Sequence, residues 1–360
     1  MLQTRCTLIV IDASIRFIFR NTDPLFILVL GRLGCFLLST LTGRVLSLTA
    51  GKRLRRSPIH HLASMAALQS LTSALGAQID DPEEETFLLF SQDIPSQNLG
   101  FVDAKATNLE ITVASRDLEI IQSPGLLSSD RKGGTTGAVV WKITPLFAEW
   151  VASDDNLLFQ CSALDQHSAV LELGCGISGI VAVSLAPRVG RYIATDQDYV
   201  FKWLKPNIAS NSSMKSENVK KRGKTPASTA RGHMGNNIEI IALDWESSSV
   251  SVLPTLVGMA SGQNFDAVLA CDCIYNEALV EPFVRTCAEL CQLANASSTR
   301  NPTVCMIAQQ LRSDIVFEIW LVAFHQAFEV WRVPDELLTK GLKSGSGFVL
   351  HVGILRKKSS

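Results

Sequence analysis

The chain has 360 residues, of which 47% are hydrophobic and 19% charged, and its formal net charge is -1. Such a composition excludes an intrinsically disordered chain, and the length suits one large domain with extensions or two average ones. Nine basic residues against Asp12 and Asp23 give residues 1–64 a charge of +7, so residues 65–360 carry -8. An acidic domain disfavours nucleic acid as a direct ligand and suits a basic protein partner.

The cysteines indicate a reducing compartment. There are nine of them, mostly in apolar segments, and no two form a C-x-x-C pair. Zinc sites are commonly built from such pairs, so we predict no metal site. An odd number of cysteines in apolar segments is typical of unpaired core residues, which predicts a cytoplasmic protein without a disulfide framework.

Residues 1–64 combine basic and apolar character. The apolar run Leu25–Leu41 has 17 residues and contains Arg32. Because a membrane span needs about 20 apolar residues and a central arginine costs about 2.5–3.5 kcal/mol, we predict no spanning helix. A signal or transit peptide stays open, although either fits badly with a thiol-rich domain. The composition changes at Met65, so an untranslated extension at residues 1–64, with Met65 as the natural start, is a further alternative.

Residues 65–136 are predicted to form a small N-terminal β extension. The segment Leu109–Pro124, LEITVASRDLEIIQSP, has two alternating runs around a short polar turn, which predicts a hairpin. The main domain is then residues 137–360. It begins with Trp141 and an amphipathic helix at about Pro145–Val151. A tryptophan at this point packs in the core or closes over a ligand.

A glycine-rich unit lies at the centre of this domain. It comprises a buried strand at Ala169–Leu173, the loop Gly174-x-Gly176-x-x-Gly179, a helix at Ile180–Leu185 and a second strand, Arg191–Thr195, that ends on Asp196. Glycines let the backbone approach a ligand closely, and an acid after the second strand accepts hydrogen bonds from ribose hydroxyls. The unit predicts a site for an adenosine-containing cofactor.

The identity of the nucleoside is a separate question, because the same spacing satisfies the dinucleotide fingerprint. Glu172 favours S-adenosyl-L-methionine, since a pyrophosphate has no use for a carboxylate at the loop, whereas a cationic sulfonium ligand tolerates one. The later segments ALDWE and LACDCIYNE favour the same cofactor. A glycine-rich turn without a ligand is the alternative, but turn chemistry alone does not require Asp196.

The rest of the chain completes an α/β domain. A helix is predicted at Asp198–Ala209, followed by a basic, disordered insert at residues 212–237 that is a solvated loop or a contact for RNA or the ribosome. Strands are predicted at Ile238–Glu246, at Phe265–Cys271, in PTVCMIAQQ, in FEVWRVP and in SGFVLHVGILR, the last returning antiparallel through a short loop. Helices are predicted at Glu277–Leu293 and in LRSDIVFEIWLVAFHQAF. The total is seven strands in a Rossmann-like sheet.

Several polar side chains fall at the carboxyl ends of these strands, where ligands bind in open α/β sheets. They are Asp196, Asp244, Trp245 and Asp272. Trp245 is positioned to flank an adenine, or simply to pack.

The sequence Asp272-x-x-Tyr275 follows the fourth of the seven strands. Methyl transfer from a sulfonium is an in-line displacement, which requires a neutral amine held at the methyl carbon. A carboxylate can hold the incoming ammonium, and a tyrosine hydroxyl can steer its lone pair once the proton has left. The sequence has neither an N-P-P-Y loop nor the paired-glutamate loop of arginine methylation.

These residues resemble the seven-strand S-adenosylmethionine-dependent protein-lysine methyltransferases, and within them the fungal ribosomal lysine N-methyltransferase 5 group. The likeness is carried by TTGAVVW, VLELGCGISGI, ATDQ with KPNI, ALDWE, CDCIYNEALVEPF and QQLRS, over roughly Leu109–Val333. The resemblance implies a class I methyltransferase fold and methylation of a lysine in a basic protein, namely a large-subunit ribosomal protein. It implies that Asp272 and Tyr275 face the substrate, and that cofactor contacts come from Trp141, Gly174, Cys175, Gly176, Asp196, Trp245 and Cys271. Cys175 stands where the family often has alanine.

Two other functions compete with this one. A nicotinamide-dependent oxidoreductase would need a catalytic Tyr/Lys pair or histidine, and the sequence offers no obvious set. A catalytically inactive, ribosome-associated cofactor-binding module is disfavoured by the intact Asp272 and Tyr275. The expected enzyme is a monomer that needs neither a membrane nor direct contact with nucleic acid.

Overall fold

The computed structural model describes residues 6–11, 14–19, 26–29, 58–96, 99–131, 134–212, 237–259, 264–295 and 302–357. The chain divides into two units, Met1–Arg55 and Arg56–Ser360. In the first unit, strands β1 (Cys6–Ile11), β2 (Ser14–Phe19) and β3 (Phe26–Val29) form an antiparallel sheet in that order. These strands were not expected from the sequence. Most of the apolar run Leu25–Leu41 lies outside the described residues, and none of the described helices is long and apolar enough to cross a bilayer.

The second unit contains the remaining elements. In chain order they are α1 (Pro58–Leu75), α2 (Pro82–Phe90), β4 (Asn108–Val113), β5 (Arg116–Ile121), α3 (Pro124–Leu127), α4 (Ile143–Val151), α5 (Leu157–Gln160), β6 (Ala169–Leu173), α6 (Ile180–Leu185), β7 (Arg191–Asp196), α7 (Phe201–Ser212), β8 (Ile238–Ala242), α8 (Leu253–Leu256), β9 (Ala267–Cys271), α9 (Val280–Asn295), β10 (Val304–Gln310), α10 (Asp314–Ala327), β11 (Phe328–Arg332) and β12 (Phe348–Leu355). The antiparallel pairing of β4 with β5 confirms the predicted hairpin.

Two helices precede the hairpin, in a region for which only a β extension was expected. Helix α1 begins at Pro58 and so crosses the proposed boundary between residues 64 and 65. Helix α2 begins after Asp81, whose side chain accepts hydrogen bonds from the backbone of Glu83 and Glu84. Proline at the first helical position and an N-terminal aspartate cap are both favourable starts for a helix.

The central sheet has seven strands in the order β11-β12-β10-β9-β6-β7-β8, which confirms the predicted number of strands and the α/β class. Strands β6, β7, β8, β9 and β10 are parallel, and β12 runs antiparallel to both of its neighbours. The order reverses at β6, between β7 and β9. In such sheets the ligand crevice lies outside the carboxyl ends of the strands at that point.

Two details differ from the sequence expectation. Strand β8 ends at Ala242 rather than Glu246 and is only partly buried, because it pairs with β7 alone at the margin of the sheet. The connection from β11 to β12 spans residues 333–347 and includes two short 3₁₀ turns, so it is not a short loop. The first difference arises from sheet topology, which local sequence does not specify.

The core lies on both faces of this sheet. Val170 of β6 packs in the cluster on one face, whereas Leu171 and Leu173 pack in the cluster on the other, as the alternation of a strand requires. A strand that is buried on both faces reads as a continuous apolar run, and this is why β6 and β9 could be located from sequence.

The hairpin is fastened to α7 by two asparagine side chains. Asn207 exchanges hydrogen bonds with the backbone of Ile121 at 2.9 and 2.8 Å, and Asn211 does the same with Glu119 at 3.0 and 2.8 Å. Asn207 is fully buried and also donates to the carbonyl of Ile177 in the glycine loop. The predicted disordered insert lies almost wholly outside the described residues.

Candidate active site

The loop after β6 depends on glycine at two positions of left-handed backbone. Gly174 has φ +66°, and a Cβ there would lie 2.7 Å from Cys273 Sγ and 3.1 Å from Trp245 Cζ2. Gly179 has φ +62°, and a Cβ there would lie 2.6 Å from Cγ1 of Ile208. Any side chain would therefore be strained and crowded at these positions. The loop keeps a bare backbone surface facing the crevice.

Asp196 at the end of β7 is held by two backbone donors. Its Oδ2 accepts from the N–H of Gly176 at 2.8 Å, and its Oδ1 accepts from the N–H of Gln197 at 2.7 Å. Burial raises the pKa of Asp196 to about 6, against the lowering effect of these donors. Cys175 contributes its backbone N–H, which donates to the carbonyl of Thr195 at 3.0 Å. These hydrogen bonds therefore fix the Asp196 carboxylate and the glycine loop relative to each other.

Glu172 lies within β6 and is buried. Its Oε2 accepts a hydrogen bond from the hydroxyl of Tyr192 at 2.7 Å. The pKa of Glu172 is raised to about 7, mainly by burial. The charge of Asp196 also raises the pKa, whereas the hydrogen bond from Tyr192 lowers it. A carboxyl group of this kind sits beside the loop and becomes ionised near neutral pH.

All ten residues singled out from the sequence line one cavity, which encloses about 1440 Å³ including its open mouth. They are Trp141, Glu172, Gly174, Cys175, Gly176, Asp196, Trp245, Cys271, Asp272 and Tyr275. Without its open mouth the cavity holds about 390 Å³, which lies within the roughly 300–1,000 Å³ typical of ligand pockets and accommodates a nucleoside.

The wall of this cavity fits an adenosyl ligand that carries positive charge. Asp196 offers carboxylate oxygens for ribose hydroxyls, and Gly174, which has no side chain, lines the cavity with its backbone alone. Glu172 supplies negative charge beside the loop, where a pyrophosphate would be repelled. Trp245 presents an aromatic ring, supported by Phe283 at 5.0 Å between centroids.

Trp141 is fixed by contacts on three sides. Its indole N–H donates to the carbonyl of Thr136 at 3.1 Å, and its ring lies 4.5 Å from that of Phe101. The guanidinium of Arg312 lies over the same ring, 4.8 Å from its centroid. Cys271 is buried nearby with its Sγ 3.9 Å from Thr144 Oγ1, and burial raises the pKa of its thiol well above the usual value.

Asp272 and Tyr275 have different surroundings. The side chain of Asp272 is 1% exposed, and Arg312 donates one hydrogen bond to each of its carboxylate oxygens, both at 2.6 Å. Tyr275 is 37% exposed, and its hydroxyl accepts from that of Thr136 at 3.1 Å. Burial raises the pKa of Tyr275, which keeps the hydroxyl protonated. Tyr275 therefore has a neutral group at the cavity, whereas the Asp272 charge is already paired.

Sequence reasoning missed Arg312. It follows β10 by two residues, and a charged side chain just past the carboxyl end of a strand is the signal that could have identified it. Its partner could not be identified in the same way, because the pairing depends on β9 and β10 being neighbours. Asp244, also expected at this edge, lines the same cavity.

No group of three or more His, Cys, Asp or Glu side chains in the described ranges is arranged to hold a metal ion. The described cysteines of the main domain are all buried and unpaired.

Comparison with known proteins identifies the family. The sequence model described as lysine methyltransferase matches residues 121–225 and 224–317. A ribosomal lysine N-methyltransferase 5 of Vanderwaltozyma polyspora is 30% identical over 299 residues, covering 71% of this chain and 92% of that protein. A Schizosaccharomyces pombe protein named diaminohydroxyphosphoribosylamino-pyrimidine deaminase is 27% identical over 266 residues, which covers 73% of this chain. The match spans 56% of the S. pombe protein's length.

Solved structures give a weaker likeness. The N-methyltransferase NodS of Bradyrhizobium japonicum, crystallised with S-adenosyl-L-homocysteine, is 12% identical, with a TM-score of 0.32 over 53% of this chain and 79% of that one. A TM-score this low adds nothing to the assignment.

The family match spans both halves of the cavity wall, from the hairpin through β10 to the first turn of α10. It decides between the two cofactors that the glycine spacing allowed, in favour of S-adenosylmethionine as the methyl donor. The chain therefore belongs to the lysine methyltransferase family and is a protein-lysine N-methyltransferase.

Proposed function

We propose that the enzyme methylates a lysine of a large-subunit ribosomal protein. The names of its relatives and the charge of -8 over residues 65–360 support this substrate. A field of that sign attracts lysine-rich surfaces. The observation that carries the proposed site is the meeting, in one cavity, of the Asp196 carboxylate, the bare glycine loop and Tyr275.

The cofactor-binding residues in this proposal form one half of the cavity. Asp196 accepts hydrogen bonds from the ribose, and the backbone of Gly174, Cys175 and Gly176 passes close to the ligand. Trp245 flanks the adenine, and Glu172 balances the positive charge of the ligand. Trp141 and Cys271 complete the wall. When bound, S-adenosylmethionine supplies an electrophilic methyl group.

In this proposal Tyr275 lies on the substrate side of the cavity. An incoming lysine must be neutral to accept a methyl group, and desolvation on entry into the cavity lowers its pKa. The Tyr275 hydroxyl then orients the amine lone pair. Because both oxygens of Asp272 are bound by Arg312, we propose that Asp272 fixes the conformation of its loop. This role replaces the binding of the substrate ammonium that was inferred from sequence alone.

The proposed domain organisation is a methyltransferase domain at residues 137–360, preceded by the hairpin extension and by residues 1–64. We further propose that the enzyme acts in the cytoplasm as a monomer. The buried, unpaired thiols support a reducing compartment.

The dependence of the apparent KM values on ionic strength tests the proposed substrate. Screening acts over about 10 Å at 0.1 M salt, so raising salt should weaken long-range capture of a basic protein more than binding of a small cofactor. We expect the apparent KM for the ribosomal protein to rise several-fold between 50 and 300 mM salt, roughly as steering predicts, while the KM for S-adenosylmethionine changes little. The assay uses labelled methyl donor and a ribosomal extract. Equal salt dependence of both constants, or label in RNA, would contradict the proposal.

The pH dependence of cofactor binding tests the roles proposed for Asp196 and Glu172. Above their pKa values of about 6 and about 7, Asp196 and Glu172 are ionised and bind a hydroxyl-bearing cation. As the pH falls through each value, protonation removes that attraction, so affinity for S-adenosylmethionine should decline below pH 7 and more steeply below pH 6. Calorimetry from pH 8 to 5 measures it. In Glu172→Gln the decline near pH 7 should vanish while that near pH 6 stays, and an unchanged profile would exclude Glu172.

A further inference from the structure

Arg312 makes three polar contacts at the edge of the cavity. Besides its two bonds to Asp272, its Nη2 donates to Gln310 Oε1 at 3.0 Å. The Arg312 side chain is 23% exposed, and that of Asp272 only 1%. A planar guanidinium that binds both oxygens of a buried carboxylate fixes the direction as well as the position of its partner.

The same guanidinium also contacts Trp141, 4.8 Å from the centre of its ring. Arg312 therefore joins two segments of the cavity wall, the loop that carries Asp272 and Tyr275 and the segment that carries Trp141. Residues before the hairpin close over this junction. A Cβ at Gly100 would lie 2.6 Å from Arg312 Nη2, and the backbone of Gly100 accepts a hydrogen bond from the N–H of Lys142 at 2.8 Å.

The backbone at Asp272 needs such support. Its φ is +60°, one of four positive values among the described non-glycine residues. A left-handed conformation is unfavourable for a non-glycine residue, although aspartate tolerates it better than most. The backbone N–H of Asp272 donates to the carbonyl of Ala308 at 2.7 Å, so this residue is held by the backbone of β10 and by Arg312 just beyond it.

We propose that Arg312 is a positioning residue for methyl transfer. Through Asp272 and Trp141 it fixes the loop that carries Tyr275 relative to the part of the cavity that binds the cofactor. It does not touch the reacting atoms. The inference rests on the roles proposed for Trp141 and Tyr275, and it is independent of the ribosomal substrate.

Kinetics of Arg312→Met and Arg312→Lys test the inference. We expect kcat to fall about 100-fold in Arg312→Met, as displacement of a reacting group by about 1 Å does, while the Kd for S-adenosylhomocysteine rises less than about tenfold. Arg312→Lys keeps the charge but loses the planar fork, so kcat should fall about tenfold. The substrate is whichever protein in the extract accepts the label.

Arg188→Met is the matched control. Arg188 also forms an ion pair, with Asp154 at 3.2 Å, and lies over an aromatic ring, that of Phe159 at 3.8 Å, but it does not line the cavity. Its kcat should equal that of the wild type. A loss in Arg188→Met as large as in Arg312→Met would assign both effects to folding and overturn the inference.

Two further measurements separate positioning from folding. If Asp272 acts through Arg312, the double variant Asp272→Asn/Arg312→Met should lose about as much kcat as Arg312→Met alone, whereas additive losses would overturn the inference. In protein labelled with 5-fluorotryptophan, the ¹⁹F resonance that disappears in Trp141→Phe should shift in Arg312→Met and not in Arg188→Met. This signal needs no substrate, so an unmoved resonance refutes the inference even if the ribosomal assignment fails.

Discussion

In the Asp196→Ala protein we expect affinity for S-adenosylhomocysteine to fall at least about 100-fold. Each hydrogen bond from a hydroxyl to a charged group contributes about 1.5–3 kcal/mol, and a tenfold change in affinity corresponds to about 1.4 kcal/mol. Two ribose hydroxyls lose their acceptor together. The N–H groups of Gly176 and Gln197, which donate to Asp196, lose theirs as well, so the glycine loop is loosened.

Titration calorimetry decides this outcome. Asp198→Ala serves as the control, because Asp198 is an exposed carboxylate two residues further along that does not line the cavity. Its affinity should match the wild type. Tight binding by Asp196→Ala, or a wild-type protein that prefers NAD to S-adenosylhomocysteine, would show that the nucleoside site has been misassigned.

Asp272→Asn and Tyr275→Phe should both reduce turnover, but only the first should destabilise the fold. Removing one partner of a buried ion pair costs about 3–5 kcal/mol, and partial exposure of Arg312 reduces this to about 2–3 kcal/mol. Asparagine tolerates the left-handed backbone at this position, so the change isolates the charge. Tyr275 is half-exposed and loses one hydrogen bond, to Thr136, which costs about 1 kcal/mol or less.

Thermal melting and methyl-transfer rates separate the two variants. Tyr275→Phe should melt close to the wild type and bind S-adenosylhomocysteine normally while its kcat falls about 10-fold or more, as is typical when a positioned polar group is lost. Full turnover in Tyr275→Phe would remove this hydroxyl from the mechanism. A wild-type melting temperature for Asp272→Asn would mean that the Arg312 pair contributes nothing to stability.

The strands and most of the site could be predicted from sequence because their signals are local. Strand β6 is a continuous apolar run that stops at glycine, and β7 ends on an acid. Since the carboxyl ends of parallel strands meet at one edge, Asp196, Trp245 and Asp272 were expected to lie together, and they line one cavity.

The pairing of Asp272 with Arg312 could not be predicted, because it depends on register between strands. Cys271 lies beside Ala308 in the parallel pairing of β9 with β10, which brings Arg312 alongside Asp272. The chemical role first assigned to Asp272 assumed a free carboxylate, and only this register shows that the charge is engaged. Helix α2 did have local signals, namely the Asp81 cap and Pro82, but no helix was predicted there.

The asparagines that flank the insert have a practical consequence for engineering. Asn211 fastens the end of α7 to the hairpin, and Asn237 donates to the carbonyls of Ala186 and Val189 at 2.8 and 2.9 Å just before β8. The chain leaves and re-enters the domain at two anchored points, so an addition between them does not have to disturb either anchor. The position between Ser212 and Asn237 is therefore a place where an affinity tag or reporter can be carried internally, leaving both termini and the cavity unaltered.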